Sequence, residues 1–505
     1  MGNSRLTNLA SISPNARDRL FETQHLSKGL DVRSARGGVI TIASQAILFV
    51  LSMGSMMVLA RLLSPEDFGL VAMVAVMTGI LGVFRDGGLS MATVQREDIT
   101  HSQVSVLFWL NTAISLGLTA IGVACSPLVA WIYGDSRLVL ITCVTASNFL
   151  ISGLGVQHRA LATRQMMFGA LASIEIIGRV LGVVVAILIA YATGSYWAIL
   201  ATTLVGSLVS TLGCWGVIRW LPGLPRRGTG VMPMVKFGGN MMGAAALNYV
   251  SRNADTFILG LTTSPSALGI YSRAYMLLLM PSRQILSPIS SVTIPSLSRL
   301  TGEPDAFKRL FIRQAKLVTS MASLAIGFAI AAAPEVVAIV LGDQWKDAVW
   351  VFWFLSPGAF VSMTNISGSW VCATHGRPDR QRKIAMVVAP IYVVSFLIGS
   401  IWGVCGVAAS YSIACVAMRH PAFVYALRGM PVSPADIWGL TIRPILLVVP
   451  MCVAGVLLSI LWTPSLVVGT SVKLLMLVAT GVIGVGVGWL PHPRAVINQL
   501  RKKAE

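Results

Sequence analysis

Eight basic side chains lie inside long apolar runs of the sequence, where a charged group is unexpected and needs an explanation. They are Arg85, Arg179, Arg252, Arg273, Arg283, Arg419, Arg443 and Lys473. A charged side chain at a bilayer centre costs roughly 2.5–3.5 kcal/mol, so we expect such residues to face a protein interior or a wet cavity. A guanidinium there stays charged and can bind a phosphate through two parallel hydrogen bonds. For the members near the ends of their runs, snorkelling to the membrane surface is the other explanation; these are Arg85, Arg419, Arg443 and Lys473.

The strongest candidates for a binding cavity lie on two consecutive apolar runs. Asn248, Arg252 and Asp255 follow i, i+4, i+7 spacing, which predicts one polar stripe along a helix. Arg273 and Arg283 lie on the next run. We therefore predict a central cationic cavity. Its predicted residues are Arg252, Arg273, Arg283, Arg85 and Asn248.

Two carboxylates lie close to arginines and have two explanations. Glu175 and Arg179 are four residues apart, in the order that favours an ion pair on a helix. Asp255 lies three residues after Arg252. Each carboxylate can form a structural ion pair or carry a coupling ion such as a proton. A neighbouring arginine lowers a carboxyl pKa, which works against the proton role, and both explanations stay open for Asp255 and Glu175.

The elements that position these residues follow from the composition. Of 505 residues, 55% are hydrophobic and 11% are charged, against roughly 25% charged in soluble domains, and the mean hydropathy is +0.77. This predicts an all-α polytopic membrane protein. The net charge of +19 is then explained by basic cytoplasmic loops, and a nucleic-acid partner is not expected. The seven cysteines lie in apolar runs without a CxxC pair, so neither a disulfide framework nor a metal site is expected.

About fourteen segments have the length and apolar character of membrane-spanning helices. They are 38–60, 68–90, 104–126, 138–157, 167–192, 196–217, 236–260, 268–294, 314–340, 348–372, 384–402, 404–426, 439–462 and 466–490. With the N-terminus inside, nearly all loop Lys and Arg residues fall on the cytoplasmic side, and only Arg61, Arg137 and Lys346 fall outside. This distribution predicts that both termini are cytoplasmic.

The chain contains an internal repeat with a period of 200 residues. Residues 38–73 align with 238–273 without a gap, and both copies carry a Ser-Pro-x-x-x-Gly turn between two spans. The repeat predicts two parallel six-helix lobes followed by two extra helices. The predicted parts are a cytoplasmic arm (1–37), an N-lobe (38–217), a C-lobe (218–430), two additional spans (431–490) and a cytoplasmic tail (491–505).

The repeat also provides an internal control for the charged residues. The first-copy equivalents of Arg252, Asp255 and Arg273 are Ser52, Ser55 and Met73. Since the first copy needs no charges at these positions to build its helices, the charges of the second copy are better explained by function than by scaffold.

Several strings resemble the Wzx-type flippases of lipid-linked oligosaccharides, a family within the multidrug/oligosaccharidyl-lipid/polysaccharide superfamily. They include Ala60-Arg-Leu-Leu-Ser-Pro-Glu-Asp-Phe-Gly-Leu-Val-Ala-Met73, Asp86-Gly-Gly-Leu-Ser-Met-Ala92, Asn253-Ala-Asp-Thr-Phe-Ile-Leu-Gly260 and Leu268-Gly-Ile-Tyr-Ser-Arg-Ala-Tyr275. The resemblance spans about residues 38–430 and is strongest to exporters of colanic acid and succinoglycan. It implies alternating inward and outward cavities and an undecaprenyl-diphosphate-linked substrate in the bacterial inner membrane.

Three functions compete for this sequence. The first is the flippase, with the lipid-linked oligosaccharide and membrane lipids as partners and a polysaccharide polymerase and co-polymerase as further candidates. The second is a membrane-embedded polymerase or glycosyltransferase, which the short outside loops disfavour, so no enzyme activity is expected. The third is an ion-coupled multidrug antiporter, which the arginine-biased interior disfavours. The sequence lacks a GxGxxG or Walker motif, so neither a nucleotide nor another cofactor is expected.

Overall fold

The computed structural model describes Phe21 and residues 30–86, 88–96, 98–226, 229–440, 442, 452 and 453, and their regular secondary structure is helical. In the first half the helices are α1 (Leu30–Leu62), α2 (Pro65–Phe84), α3 (Leu89–Gln95), α4 (His101–Ala124), α5 (Ser126–Tyr133), α6 (Arg137–Gly153), α7 (Val156–Arg164), α8 (Phe168–Thr193) and α9 (Trp197–Ile218). They continue with α10 (Met232–Thr262), α11 (Pro265–Ser298), α12 (Pro304–Ala331), α13 (Ala333–Val340), α14 (Ala348–Thr374), α15 (Pro378–Ser400) and α16 (Gly403–Leu427). A short 3-10 helix, Asp343–Trp345, precedes α14.

Each of the first twelve predicted spans lies mainly in one or two helices, because in hydrocarbon an apolar run must satisfy its own backbone hydrogen bonds. The predicted spans 167–192 and 196–217, for example, differ from α8 and α9 by one residue at each end. The predicted spans 439–462 and 466–490 fall almost entirely outside the described residues. The all-helical, polytopic character is confirmed, and the total of fourteen spans stays a prediction.

Two predicted spans are interrupted where the sequence cannot continue a helix. The predicted span 68–90 ends early, at Phe84, and Gly88 adopts a left-handed conformation (φ 67°) before α3 begins. The predicted span 314–340 is divided into α12 and α13, because Pro334 near the start of α13 has no N–H to continue the hydrogen-bond ladder of α12.

Eight described helices are long and apolar enough to cross a membrane, namely α1 (from Gly37), α2, α4, α8, α9, α12, α14 and α15. Helices α6 and α7 together supply a ninth candidate, with a bend of 40° at their junction. These helices support a multi-pass membrane protein.

The chain divides into two compact units, Met1–Gly269 and Ile270–Glu505. The boundary lies about 50 residues after the predicted lobe boundary at 217/218, because α10 packs against α2 and α3 in the first unit. The two-lobe organisation therefore stays a prediction from the repeat.

Close helix packing in the first unit depends on small residues. Helices α8 and α9 approach so closely that a Cβ at Gly182 would lie 2.7 Å from the carbonyl oxygen of Thr202. In a membrane, van der Waals packing of small residues takes the place of the hydrophobic effect between helices. The outer helix α8 is thereby fixed to α9 at its middle.

In the second unit, a serine side chain replaces a backbone hydrogen bond that a proline disrupts. Pro357 lies inside α14 and lacks an N–H, which distorts the backbone ladder around it. Ser412 of α16 accepts a hydrogen bond from Gly358 N (3.0 Å) and donates one to the carbonyl oxygen of Phe354 (2.5 Å). The hydroxyl thus bridges a donor and an acceptor that would bond directly in a regular helix, and it fixes α14 to α16.

Candidate functional site

The predicted polar stripe lies on α10, in the first unit. Arg252 is exposed and donates from Nε to Oδ1 of Asn248, one turn earlier, at 3.2 Å. Asp255 is 4% exposed, and its carboxylate accepts hydrogen bonds from the backbone N (2.7 Å) and the hydroxyl (3.2 Å) of Thr256. The structure therefore joins Asn248 to Arg252, and it buries Asp255 on the same helix.

The orientation of the stripe is set by contacts between α10 and α2. The hydroxyl of Tyr249 donates to the carbonyl oxygens of Ala75 (3.0 Å) and Val76 (3.3 Å). Its ring lies so close to Gly79 that a Cβ there would be 1.9 Å from the phenol oxygen. A half-buried phenol that donates to two carbonyls across the interface holds α10 in one rotation. Arg252, three residues after Tyr249, then has a fixed direction.

The two copies of the repeated turn meet each other in the first unit. A Cβ at Gly69 would lie 1.7 Å from the carbonyl oxygen of Pro265, and a Cβ at Gly269 would lie 1.8 Å from that of Pro65. These four residues occupy equivalent positions in the repeat, so each copy presents the same backbone to the other. Only glycine permits this approach of two helix starts.

Arg85 caps the end of α2 and points toward α6. Its Nη1 donates to Oγ of Ser152 at 3.1 Å, and Ser152 in turn donates to the carbonyl oxygen of Asn148 at 2.6 Å. Its Nε is buried and has no acceptor among the described residues. Arg85 is thus half-buried in a polar contact between two helices and keeps one donor unused.

Arg273 and Arg283 both lie on α11, in the second unit. Arg273 is half-buried. The side chain of Arg283 lies outside the described residues, although its backbone belongs to α11. The meeting of these arginines with Arg252 stays a prediction.

The expected pair between Glu175 and Arg179 is not the one that forms. Among the described residues, the carboxylate of Glu175 pairs with Arg159 of α7, and Arg179 is exposed on α8. The turn between α7 and α8 brings Arg159 beside Glu175, and the pair bridges two helices. An exposed i, i+4 pair is worth only about 0.3–0.5 kcal/mol, so it does not outweigh that contact.

The strings that carry the family resemblance have structural roles in the first unit. Ser64 and Asp67 form a capping box at the start of α2, and the same Asp67 accepts a hydrogen bond from Tyr196 N at 2.9 Å. Glu66 pairs with Arg137 at 2.6 Å. One turn is thereby tied to α6 and to the start of α9.

Arg137 also binds Asp135, in the turn before α6, at 2.7 Å. The hydrogen bonds from Arg137 hold the pKa of Asp135 below its usual range. Asp86 has a comparable local role, because it accepts a hydrogen bond from the backbone N of Ser90 at 3.1 Å at the start of α3.

Sequence reasoning missed the partners of two buried arginines. Arg164 is one of the loop cations that the charge distribution places on the cytoplasmic side, yet it is 5% exposed and donates to several backbone carbonyls. Its acceptors are the carbonyl oxygens of Phe21 (3.0 Å), Thr93 (3.1 Å), Val94 (3.4 Å) and Arg96. It therefore joins the N-terminal arm to the end of α3. A cation at the end of a short helix is the only signal in the sequence, and it is a weak one.

The second is Arg419, for which snorkelling was one explanation. It is 3% exposed, donates to Oγ1 of Thr364, and lies over the rings of Phe423 (5.4 Å) and Trp438 (5.7 Å). The aromatic residue four positions later was the available signal, since i, i+4 side chains meet on a helix. Arg419 therefore joins α14, α16 and the segment after α16 in the second unit.

The comparisons with known proteins agree with this architecture. Residues 58–350, more than half of the chain, match a family described as polysaccharide biosynthesis protein. The chain is 22% identical over 374 residues to the lipopolysaccharide biosynthesis protein WzxC of Escherichia coli (strain K12), covering 73% of this chain and 75% of that protein. It is 26% identical over 311 residues to the succinoglycan biosynthesis transport protein ExoT of Rhizobium meliloti, covering 61% and 62%.

Among solved structures, the fold is similar to the lipid II flippase MurJ in an inward closed conformation. The TM-score is 0.67 at 13% identity, over 91% of this chain and 99% of that chain. The family match and the relatives WzxC and ExoT confirm the resemblance that the motifs predicted. The chain belongs to the polysaccharide biosynthesis protein family and is of the type of the Wzx polysaccharide exporters.

Proposed function

We propose that this protein moves an undecaprenyl-diphosphate-linked oligosaccharide repeat unit from the cytoplasmic to the periplasmic leaflet of a bacterial inner membrane. The family match over residues 58–350 carries the proposal. The relatives WzxC and ExoT are named for lipopolysaccharide biosynthesis and succinoglycan transport, and MurJ is named as a lipid II flippase. The product would supply exopolysaccharide or lipopolysaccharide synthesis, with a polymerase and co-polymerase as the next components.

The proposed substrate site is the cationic set formed by Arg252, Arg273, Arg283, Arg85 and Asn248. The hydrogen bond that Arg252 Nε donates to Asn248 Oδ1 supports it, because it fixes Nε and leaves the two terminal nitrogens of the guanidinium for a ligand. Arg85 adds a half-buried guanidinium whose Nε has no described acceptor. A diphosphate carries several acceptor oxygens, and forked donors of fixed geometry suit it better than point charges do.

The proposed transport cycle alternates access between two lobes. The reciprocal contact of Gly69 with Pro265 and of Gly269 with Pro65 supports it, since equivalent turns of the two copies meet there. A contact between equivalent turns of the two copies can persist while other parts of the two copies move apart. We place it on the periplasmic side, where the predicted orientation puts both turns.

We propose that transport uses an ion gradient or the membrane potential, because the sequence has no nucleotide motif. Asp255 is the better of the two candidate carboxylates, since it is buried on the helix that carries Arg252. Glu175 is engaged with Arg159, which favours a structural role for it. Transport that still requires a gradient in the Asp255→Asn protein would remove this candidate.

A multidrug antiporter is the alternative function, and a polymerase is the less favoured one. Exporters of cationic drugs need acidic cavities, whereas the candidate site here has arginines at its centre. A polymerase needs catalytic acids on a sizeable outside loop, and the predicted outside loops are short. Neither alternative has an observation that favours it over the flippase.

The decisive experiment is translocation of lipid-linked oligosaccharide in proteoliposomes that contain the purified protein. We expect translocation by the wild-type protein and a strong loss in the Arg252→Ala, Arg273→Ala variant. The matched control is Arg179→Ala, which removes an exposed arginine of α8 and should translocate at the wild-type rate. Equal rates in all three proteins would contradict the proposed site, and no translocation by the wild type would contradict the function.

A further inference from the structure

Helix α15 has an unusual position at the surface of the second unit. Only 11% of the residues in its apolar stretch are buried, against 22–59% for the other helices that are candidates to cross a membrane. It packs mainly against α16. The side chains of Met386 and Val387 are 60% and 61% exposed. This face of α15 therefore lies open along its first turns.

A groove of about 430 Å³ runs between α15 and α16 on this open face. Its walls are almost entirely apolar, formed by Met386 and Val388 on one side and by Met418, Pro421 and Tyr425 on the other. Val388 is ten residues into α15, about 15 Å from the start of the helix. Lys383 at its mouth lies five residues before Val388, about 7.5 Å along the helix, so the groove extends roughly a quarter of the way into the hydrocarbon layer from one membrane surface.

A second cavity of about 250 Å³ adjoins the groove and is more polar. The two share Ile384, Val388 and Ala422 in their walls, and the second also contains Asn365 and Gln381. Amide groups therefore lie beside the apolar channel near the start of α15. A polar region beside an apolar channel matches the two parts of a phospholipid.

The mouth of the groove is cationic. Lys383 lines it, and Arg382 lies next to it; both are exposed, and neither forms an ion pair with another described residue. Arg380, by contrast, is engaged with the carbonyl oxygens of Ala426 (3.0 Å) and Arg428 (2.6 Å). Two cations thus remain available where the predicted orientation places the cytoplasmic membrane surface.

The geometry points to a binding site for one anionic phospholipid between α15 and α16, with an acyl chain in the groove and the headgroup phosphate at Lys383 and Arg382. Basic pockets between spanning helices on the cytoplasmic side are known to select anionic headgroups. The lysine stem can follow the apolar wall while its ammonium stays at the headgroup level. The C-terminal segment is the other conceivable occupant, but its described residue Cys452 lies against Gly327 of α12, at 3.7 Å from the carbonyl oxygen.

The test is native mass spectrometry of the full-length protein with phosphatidylglycerol, phosphatidylcholine and undecaprenyl phosphate. We expect the wild type to retain phosphatidylglycerol in preference to phosphatidylcholine. Each cation near a membrane surface contributes about 1 kcal/mol, or about fivefold in affinity, so Arg382→Gln, Lys383→Gln should lower phosphatidylglycerol retention well over tenfold. Arg309→Gln, Arg313→Gln is the matched control, because it removes two exposed arginines from α12.

A groove-filling variant separates the acyl channel from the charges. Ala422→Phe should reduce phosphatidylglycerol retention with both cations intact, provided that its elution volume and melting temperature equal those of the wild type. If that protein does not fold, the charge variant and its control still decide the question. Equal retention of the two phospholipids, or no difference between the charge variant and its control, would overturn the proposal. Stronger retention of undecaprenyl phosphate than of phosphatidylglycerol would overturn it as well, by assigning the groove to a polyprenyl chain.

Discussion

Arginine has several different roles in this protein, and its environment separates them. Arg164 is buried and donates to backbone carbonyls of the N-terminal arm and of α3, so it holds these segments together. Arg137 joins Glu66 and Asp135 at the surface. Arg252 is exposed on a helix that Tyr249 fixes to α2, and its side chain is bonded to Asn248. A permanently charged, forked group suits all of these roles, so the residue type alone does not identify a substrate site.

We expect lysine to replace Arg252 in part and alanine not to replace it. Hydrogen bonds to charged groups are worth about 1.5–3 kcal/mol, so Arg252→Ala should reduce transport roughly 10- to 100-fold, and Arg252→Lys should retain an intermediate rate. Asn248→Ala should have a smaller effect, since it removes only the orienting bond. The measurement is complementation of polysaccharide production in a deletion strain, with protein abundance determined in the membrane fraction.

Loss of production together with loss of protein would return Arg252 to a structural role. The Arg252→Ala, Asp255→Asn variant tests whether a stranded carboxylate causes the defect. If Asp255 is the source, the double variant should recover transport. Continued loss in a well-expressed double variant would support the phosphate-binding role only where the single Asp255→Asn variant still transports, because Asp255 is itself the proposed coupling residue.

The low pKa of Asp135 predicts a pH-dependent contribution to stability. A carboxyl whose pKa is lowered by folding stabilises the protein above its unfolded pKa of about 3.9, and the contribution is lost as the pH falls through the folded value. Asp135→Asn should therefore melt at a lower temperature than the wild type at pH 6, and the difference should shrink progressively as the pH falls below about 4. In an Arg137→Gln background the same substitution should show no such pH-dependent difference. A gap that stayed constant with pH would contradict this explanation.

At the scale of helices, glycine and serine decide how closely neighbours approach. The repeated turn brings Gly69 and Gly269 against the carbonyl oxygens of Pro265 and Pro65. Ser412 replaces a backbone hydrogen bond of α14 beside Pro357. Both features join helices through backbone groups. Such contacts stabilise helix association in a membrane, because the hydrophobic effect does not drive helices together in lipid.

Alanine at Gly69 or Gly269 should destabilise the protein, because the new methyl group would overlap a backbone oxygen that cannot move aside. We expect a loss of about 1–3 kcal/mol, measured as a lower melting temperature in detergent. Gly54→Ala in α1 is the matched control, since a Cβ at that position meets no atom within 4 Å. The control should be neutral or slightly stabilising, because alanine favours helix more than glycine does. Equal melting temperatures for Gly69→Ala and Gly54→Ala would refute the close contact.

Ser412→Ala should also destabilise the protein, because it removes the hydroxyl that bridges Gly358 N and the carbonyl oxygen of Phe354. A buried polar group left unpaired costs about 1–3 kcal/mol. Ser412→Thr should retain most of the stability, since it keeps the hydroxyl. Ser410→Ala, on the same helix, should have little effect because Ser410 bonds only within α16. A melting temperature unchanged by Ser412→Ala would show that α14 does not depend on this bridge.

At the scale of the whole molecule, the repeat and the distribution of loop charges predict one orientation in the membrane. Cysteine introduced at Lys346 should react with a membrane-impermeant maleimide on intact spheroplasts. Cysteine at Arg377 should react only after the membrane is permeabilised. Both positions are exposed, so accessibility reports their side of the membrane. The seven native cysteines would first be replaced by serine or alanine, and labelling in the reverse pattern would invert the predicted topology.

The sequence by itself determined the class of the protein, the places of twelve helices, the repeat and the family. These follow from signals that are local or additive: apolar length, breakers such as Ser64-Pro65, and strings that match the family. It also placed Asn248 and Arg252 on one stripe, because helical spacing is a local rule.

Only the tertiary structure decided which partners the charged residues take. Glu175 pairs with Arg159 rather than Arg179, and Arg419 is buried beneath aromatic rings instead of snorkelling. Arg164, which the sequence predicts to be a loop cation, is buried and donates a hydrogen bond to the N-terminal arm. The physical reason is that a long charged side chain reaches groups on neighbouring helices, and those neighbours are fixed by close backbone contacts that spacing along one chain does not report.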